Sequence, residues 1–293
     1  MIEFVLFFIK NIKTYLMQNP IIPLLEIVFQ ILLIFFFLRI FITARNAFDN
    51  PIFGAISQLT NPVLEKTKKF FNYVTRSYDL SPLLPILLLL LTQGVLTSLL
   101  ASTPWDASSF RTISGFLDWI FQVYAVIIII TSFTPQYISN PIVSFFYKVS
   151  DPLITLTNKF IAFRSDVWRF LSLIFLVLLY VLLQMSLVMI ISLGADFSLQ
   201  LAITFGVKSL ALLVNLTTFF TITIIVGALM SWFSPDPYNP LVQFIQIITY
   251  PIVEPIRRVI PSLGGIDLSP IFAIFVLQFV NGMGSALINS FYM

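Results

Sequence analysis

From Phe170 to Leu193 the chain reads FLSLIFLVLLYVLLQMSLVMIISL, without one charged residue. A bilayer's hydrocarbon core, about 30 Å thick, is crossed by roughly 20 apolar residues in a helix. No water is available there, so each backbone N–H and C=O must be satisfied inside the segment, and only a helix does this for a single span. Six stretches meet the criterion: about Ile21–Ala44, Ser81–Ala101, Ile113–Phe133, Val167–Leu193, Gly206–Phe233 and Ser269–Ile288. Composition agrees. Of 293 residues, 58% are hydrophobic and 10% charged, against about 25% charged in soluble domains, and a chain this size cannot hide so much apolar surface from water.

The same composition excludes several chemistries. There is no cysteine and no histidine, which removes disulfides, thiolate catalysis, histidine-ligated haem and the usual zinc sites. No carboxylate pair, nucleophile–base arrangement or phosphate-binding glycine loop is present, so neither an enzyme nor a cofactor or metal is expected. A net charge of +3 is too small for a general nucleic-acid surface. The opening MIEFVLFFIKNIKTYLMQ has no basic region before its apolar stretch and no small-residue cleavage site, so it does not read as a signal peptide. Ile2, Val5, Ile9, Ile12 and Leu16 recur at helical spacing with Lys10 and Lys13 between them, which predicts an interfacial amphipathic helix rather than a seventh crossing.

Orientation follows from basic residues outside the spans. The three longer connections hold ten: Arg45, Lys66, Lys68, Lys69, Arg76, Lys148, Lys159, Arg164, Arg257 and Arg258. The termini and the two shorter connections hold four: Lys10, Lys13, Arg111 and Lys208. This asymmetry predicts a multi-pass membrane protein with the long connections cytoplasmic and both termini outside.

The long connections repeat. NPIFGAISQLTNP (Asn50 to Pro62), NPIVSFFYKVSDP (Asn140 to Pro152) and NPLVQFIQIITYP (Asn239 to Pro251) each hold two prolines eleven residues apart. Six and seven residues past the second proline come Lys68–Lys69, Asn158–Lys159 and Arg257–Arg258. Then follow DLSP at Asp79–Pro82, DVWR at Asp166–Arg169 and DLSP at Asp267–Pro270. Three matches at one register are an internal repeat. The units are residues 1–101 (with the N-terminal amphipathic segment), 102–193 (divergent) and 194–293. The predicted fold is all-α: six transmembrane helices as three tandem helical hairpins, parallel repeats about the membrane normal, with short amphipathic interfacial helices.

Each connection is predicted to turn the chain at the membrane surface. Asn239 caps a helix that Pro240 opens. Leu241, Phe244, Ile245 and Ile248 share one face, with Gln243 and Gln246 opposite. Pro251 should stop this helix, a second short helix should carry the basic pair, and Ser269 should cap the next span. Gly264–Gly265 supplies a tight turn.

These residues resemble a known family. NPLVQFIQIITYPIVEPIRRVIPSLGGIDLSP, with Ser231–Trp232 ahead of it, is similar to the YggT repeat of bacterial membrane proteins, which has plastid counterparts. Known bacterial members of that family usually carry one or two such units, so three would be a departure from the pattern it resembles. The middle unit lacks one of the two basic residues and the Ser-Pro step. The resemblance implies an integral protein of the bacterial inner membrane without an established biochemical activity. It also implies a loose association with cell-division gene neighbourhoods and ion or osmotic stress in bacteria, and with cytochrome assembly and organelle organisation in plastids.

The candidate contact residues are Asn239, Pro240, Pro251, Glu254, Arg257, Arg258, Asp267 and Ser269, with Lys68, Lys69 and Asp79 in the first unit. Arg257 and Arg258 can meet anionic headgroups, dock an acidic motif on a membrane-protein partner, or pair internally with Asp267 or Glu254. Asp79 and Asp267 read as capping or loop-ordering residues. Within the spans, Glu26 is an acidic side chain near an outer end and the possible intramembrane polar site. Asp118 sits at an outer edge beside Trp119. The amides Gln30, Gln122, Gln184, Asn215, Gln278 and Asn281 suit interhelical hydrogen bonds, and GMGSA (Gly282 to Ala286) suits close helix packing. Two functions fit: a non-enzymatic scaffold or assembly factor acting through its cytoplasmic face, and a small-ion transport or osmotic-stress component.

Overall fold

The computed structural model describes residues 21–42, 51–74, 78–134, 140–160, 166–191, 198–233, 236–260 and 267–291. Nine α-helices occur among them: α1 Ile21–Arg39, α2 Pro51–Thr67, α3 Leu83–Ala101, α4 Trp105–Phe133, α5 Pro141–Asn158, α6 Ser172–Ile191, α7 Leu199–Phe233, α8 Pro240–Arg257 and α9 Ser269–Ser290. A 3-10 turn, Asp166–Leu171, leads into α6. The one strand-like feature among the described residues is an isolated bridge between Val74 and Asp79. Helices α1, α3, α4, α6, α7 and α9 are long and apolar enough to cross a membrane, so the predicted all-α fold with six spans is observed. The segment Met1 to Gln18, Asn50 and Gly264–Gly265 lie outside the described residues.

Three expectations need correction. Helices α4 and α7 begin at Trp105 and Leu199, not near Ile113 and Gly206. With 29 and 35 residues they are about 44 and 53 Å long, well beyond the hydrocarbon thickness. Arg111 and Lys208 therefore stand on helices rather than in connections. Second, Pro62, Pro152 and Pro251 do not stop their helices; α2, α5 and α8 run through them, and α8 also through Pro255. Among the described residues each connection thus holds one α-helix that runs through its proline. A mid-helix proline removes one backbone bond to the carbonyl four residues back. Pro62 and Pro152 are exposed and Pro251 half-buried, so the freed carbonyl shares a face that solvent can reach. Third, Ser81 and Ser269 do not cap the following spans. The N-caps of α3 and α9 are Pro82 and Leu268, without a side-chain bond. The aspartate two residues ahead of each serine takes that serine's amide instead.

The asparagine caps are present where described. Asn140 Oδ1 accepts from the amides of Ile142 and Val143 at 2.9 and 3.2 Å, and Asn239 Oδ1 from Leu241 at 2.9 Å. On α8 the buried face is Val242, Ile248 and Val253, with Leu241 exposed. Ile245 and Ile248 join the inward side as expected; Leu241, in the first turn, does not.

The chain forms two compact units. One holds Met1–Leu117 with Ser186–Phe197, the other Asp118–Met185 with Ser198–Met293. In the first, α1 packs on α3, and α2 lies against both. The contact side of α3 is narrow: a Cβ on Gly94 would come within 3.2 Å of Ser109 Oγ on α4. Helix α3 ends at Ser102, in the left-handed conformation (φ 51°), whose N–H closes on Ser98 O. In the second, α7 packs on α9 and both hold α8. Ile224, Val253 and Ala273 make a buried cluster there, flanked by Ile252, Ile256, Ile274 and Leu277. Gly284 lets α9 close on α7, since a Cβ there would sit 2.7 Å from Val214 Cγ2. The amide of Asn281 donates to Thr217 Oγ1 at 2.7 Å, and that of Gln278 to Thr221 Oγ1 at 3.4 Å, the interhelical role anticipated for them. Asn215 and Gln30 are instead exposed.

Candidate functional site

Each described connection is closed by a lock made from the motif residues. In the first unit Lys68, one residue past α2, places Nζ 3.2 Å from Asp79 Oδ2, and Arg39 at the end of α1 lies 3.8 Å from the same atom. The other carboxylate oxygen accepts the Ser81 amide at 3.0 Å. The Asp79 amide donates to Ile40 O at 2.9 Å, and Arg39 Nη1 donates to Ile42 O at 2.7 Å. One aspartate thus joins the exits of α1 and α2 to the entrance of α3. In the third unit Arg257 donates to Asp267 Oδ2 from Nε at 3.0 Å and Nη2 at 2.7 Å, while Asp267 Oδ1 accepts the Ser269 amide at 2.9 Å. Glu254 adds contacts to Arg257 at 3.3 Å and Arg258 at 3.4 Å.

The two locks differ in shelter: the Asp79 side chain is 10% exposed and that of Asp267 38%. Burial pushes each carboxyl up, but the hydrogen bonds from the serine and the cation outweigh it. Asp79 is held below the usual carboxylate value by Ser81 and Lys68, and Asp267 by Ser269 and Arg257. In the middle unit, where Asn158 replaces the first cation, a different lock is used. Tyr147 on α5 donates to Thr131 O at 3.0 Å and to Thr134 O at the end of α4, and the Arg169 guanidinium lies 4.7 Å over its ring. Lys148, on the same helix, is half-buried, and burial depresses its ammonium.

Of the three roles open to the basic pair, the structure divides it. Arg257 and Lys68 turn inward to their aspartates. Arg258, with 72% of its side chain exposed, and the exposed Lys69 turn outward. Asn239 and Pro240 sit at the start of α8, where Asn140 Nδ2 donates to Pro240 O at 3.1 Å and Phe146 meets Phe244 edge-on at 5.2 Å. Through these contacts α5 is seated against α8.

A family model described as CCB3/YggT matches residues 18–100 and 207–288, more than half of the chain. The chain belongs to the YggT family. The matched regions carry the two aspartate locks; the middle unit, with its tyrosine lock, lies between them. Among similar relatives, an uncharacterised protein of Pseudomonas aeruginosa is 40% identical over 62 residues, 21% of this chain and 32% of its own. An uncharacterised protein of Haemophilus influenzae is 28% identical over 142 residues, 48% of this chain and 72% of its own. The uncharacterised protein YggT of Escherichia coli K12 is 35% identical over 72 residues, 25% and 38% of the two chains. The chain thus spans only about a third of the length of the Pseudomonas and Escherichia relatives. No solved structure matches it.

This YggT-family chain also carries polar clusters on its crossing helices that sequence reasoning missed. Glu26 on α1 is not an isolated acid: Arg111 on α4 places Nη2 2.6 Å from its Oε1. Asp118, expected at an outer edge, lies thirteen residues into α4, about 20 Å along the helix. Its Oδ2 meets Lys208 Nζ of α7 at 2.8 Å, and its Oδ1 accepts Tyr180 OH at 2.7 Å and Gln184 Nε2 at 3.0 Å, both from α6. Phe121 packs on Tyr180 with ring centroids 4.8 Å apart. One carboxylate therefore ties three crossing helices. The available signal was faint: a single lysine in an apolar run and an arginine in a serine-rich one, each about ninety residues from its acid.

Proposed function

We propose that this multi-pass YggT-family membrane protein is a non-enzymatic scaffold or assembly factor. It acts through the face formed by its long connections, which lie in the cytoplasm of a bacterium with both termini outside. The observation that carries this reading is how the charges are used. On the crossing helices Glu26 pairs with Arg111 and Asp118 with Lys208, contacts that tie helix to helix. The connections are held by side-chain locks and present exposed polar and aromatic groups, including Tyr238, Gln246 and Tyr250 on and beside α8. Aromatic residues on a fixed helix suit recognition of another membrane protein. Crosslinking in the native membrane followed by purification should recover a stable partner, and Tyr250→Ala with Gln246→Arg should weaken its recovery. An empty purification from crosslinked membranes would sink the scaffold reading.

The second reading, small-ion transport or osmotic-stress response, is favoured by the Asp118–Tyr180–Gln184–Lys208 cluster, since intramembrane ionisable groups often mark pathways. Purified protein in liposomes separates the two. A scaffold leaves sodium, potassium and proton flux at the level of empty liposomes. A selective flux abolished by Glu26→Gln or Asp118→Asn supports transport.

A further inference from the structure

The lock residues leave one position per unit unaccounted for. In the exit pairs the first member is Lys68, Asn158 or Arg257; the second is Lys69, Lys159 or Arg258, a cation in all three. The next residue is apolar each time and stands far out of the fold: Phe70 is 86% exposed, Phe160 73% and Val259 80%. Lys69 and Lys159 have no acidic partner among the described residues. Arg258 reaches Glu254 only at 3.4 Å.

A single exposed apolar side chain is ordinary. The same exposure at the same register in three units, always one residue past an outward cation, calls for a common surrounding. Each step lies between an amphipathic helix and the entrance of a crossing helix. The Phe160 ring stacks on Phe175, in the first turn of α6, with centroids 5.9 Å apart, so it is continuous with the flank of a span. At that level the surrounding is the boundary between headgroups and acyl chains, where a long cationic side chain reaches phosphate and an apolar neighbour lies among the first methylenes. The charge to be matched there is negative.

We propose that Lys69–Phe70, Lys159–Phe160 and Arg258–Val259 are three seats for anionic phospholipids, the cation taking the headgroup phosphate and the apolar residue the adjoining acyl chain. The middle unit, which lost its inward cation, keeps its seat; locking and lipid binding are separate uses of adjacent residues. The proposal rests on the membrane-spanning reading and not on the scaffold reading, so it stands or falls without a protein partner.

The chain has no cysteine, so Phe71→Cys and Ile260→Cys each give a single labelling point beside a seat. Each labelled full-length variant is placed in phosphatidylcholine bilayers containing nitroxide-labelled phosphatidylglycerol or nitroxide-labelled phosphatidylcholine. Quenching is expected at about fivefold lower mole fraction for the anionic lipid, and Lys69→Gln or Arg258→Gln should equalise the two. Equal quenching in the parent, a preference that survives the glutamine substitutions, or no quenching by either lipid (a position in water or under protein) each overturns the proposal. Lys69 lies outside its lock, and Arg258 touches its own only through Glu254 at 3.4 Å; unchanged unfolding of both variants in detergent separates lost lipid preference from lost folding.

Discussion

Replacing Asp118 by asparagine and Lys208 by glutamine, singly and together, isolates the ion pair from the hydrogen bonds around it. At 2.8 Å two unit charges attract by about 6 kcal/mol in an effective dielectric of ~20. The side chains keep 23% and 34% of their surface exposed, so screening and desolvation cancel much of that. A net coupling of about 2 kcal/mol is expected, a factor of ~30 in the unfolding equilibrium. Asparagine retains an oxygen that can accept from Tyr180 and Gln184, whose bonds at 2.7 and 3.0 Å survive in all variants. The cycle therefore reads the Asp118–Lys208 contact, charge and hydrogen bond together. The assay is reversible unfolding in mixed micelles with rising sodium dodecyl sulfate, followed by tryptophan fluorescence. A coupling under about 0.5 kcal/mol, the level of additivity between independent sites, would refute the view that this carboxylate ties α4 to α7.

The sheltered lock gives a pH signature. Asp79 is held below its ordinary value, so its contribution is full above about pH 4 and is lost as pH falls through the lower folded value. The stability gap between the parent and Asp79→Asn, measured by the same unfolding assay, should close in that acid window and stay constant from pH 5 to 8. Asp79→Ala should cost about 1 kcal/mol more than Asp79→Asn, because alanine also removes the acceptor for the Ser81 amide. In α9, Gly284→Leu should destabilise by about 1–3 kcal/mol, since a Cβ there meets Val214 at 2.7 Å, whereas Gly282→Leu, with no atom within 4 Å, should be nearly neutral. Tyr147→Phe should cost about 1 kcal/mol through the lost bond to Thr131 O. Tyr147→Leu, which also removes the ring beneath Arg169, should cost more.

Much of the local architecture was legible in the chain because its signals are short-range. Apolar length reports a span wherever water is absent, so the six crossings appeared without a fold in hand. The Asn-Pro step reports a helix start through one side chain and two or three neighbouring amides, and Asn140 and Asn239 behave accordingly. The reading failed where a local rule had a competitor. Pro251 has a helix-breaking cost, yet α8 buries Val242, Ile248 and Val253 on one face, and a helix ended at Tyr250 would leave Val253 out of that contact. Ser269 was read as a cap, but α9 already begins there, with Leu268 as its N-cap, and Asp267 accepts the Ser269 amide through its charged oxygen.

The sequence by itself determined that the described residues hold six stretches long and apolar enough to cross a bilayer, and that one spacing of paired prolines recurs three times. These follow from backbone hydrogen-bond demand and from periodicity, which act over a few residues. Only the tertiary structure decided which charges meet. Arg111 finds Glu26, Lys208 finds Asp118, and of two adjacent arginines one turns to Asp267 while the other faces out. Helix packing sets the first two choices by bringing residues tens of positions apart within 3 Å, and no pattern along a single chain encodes that distance.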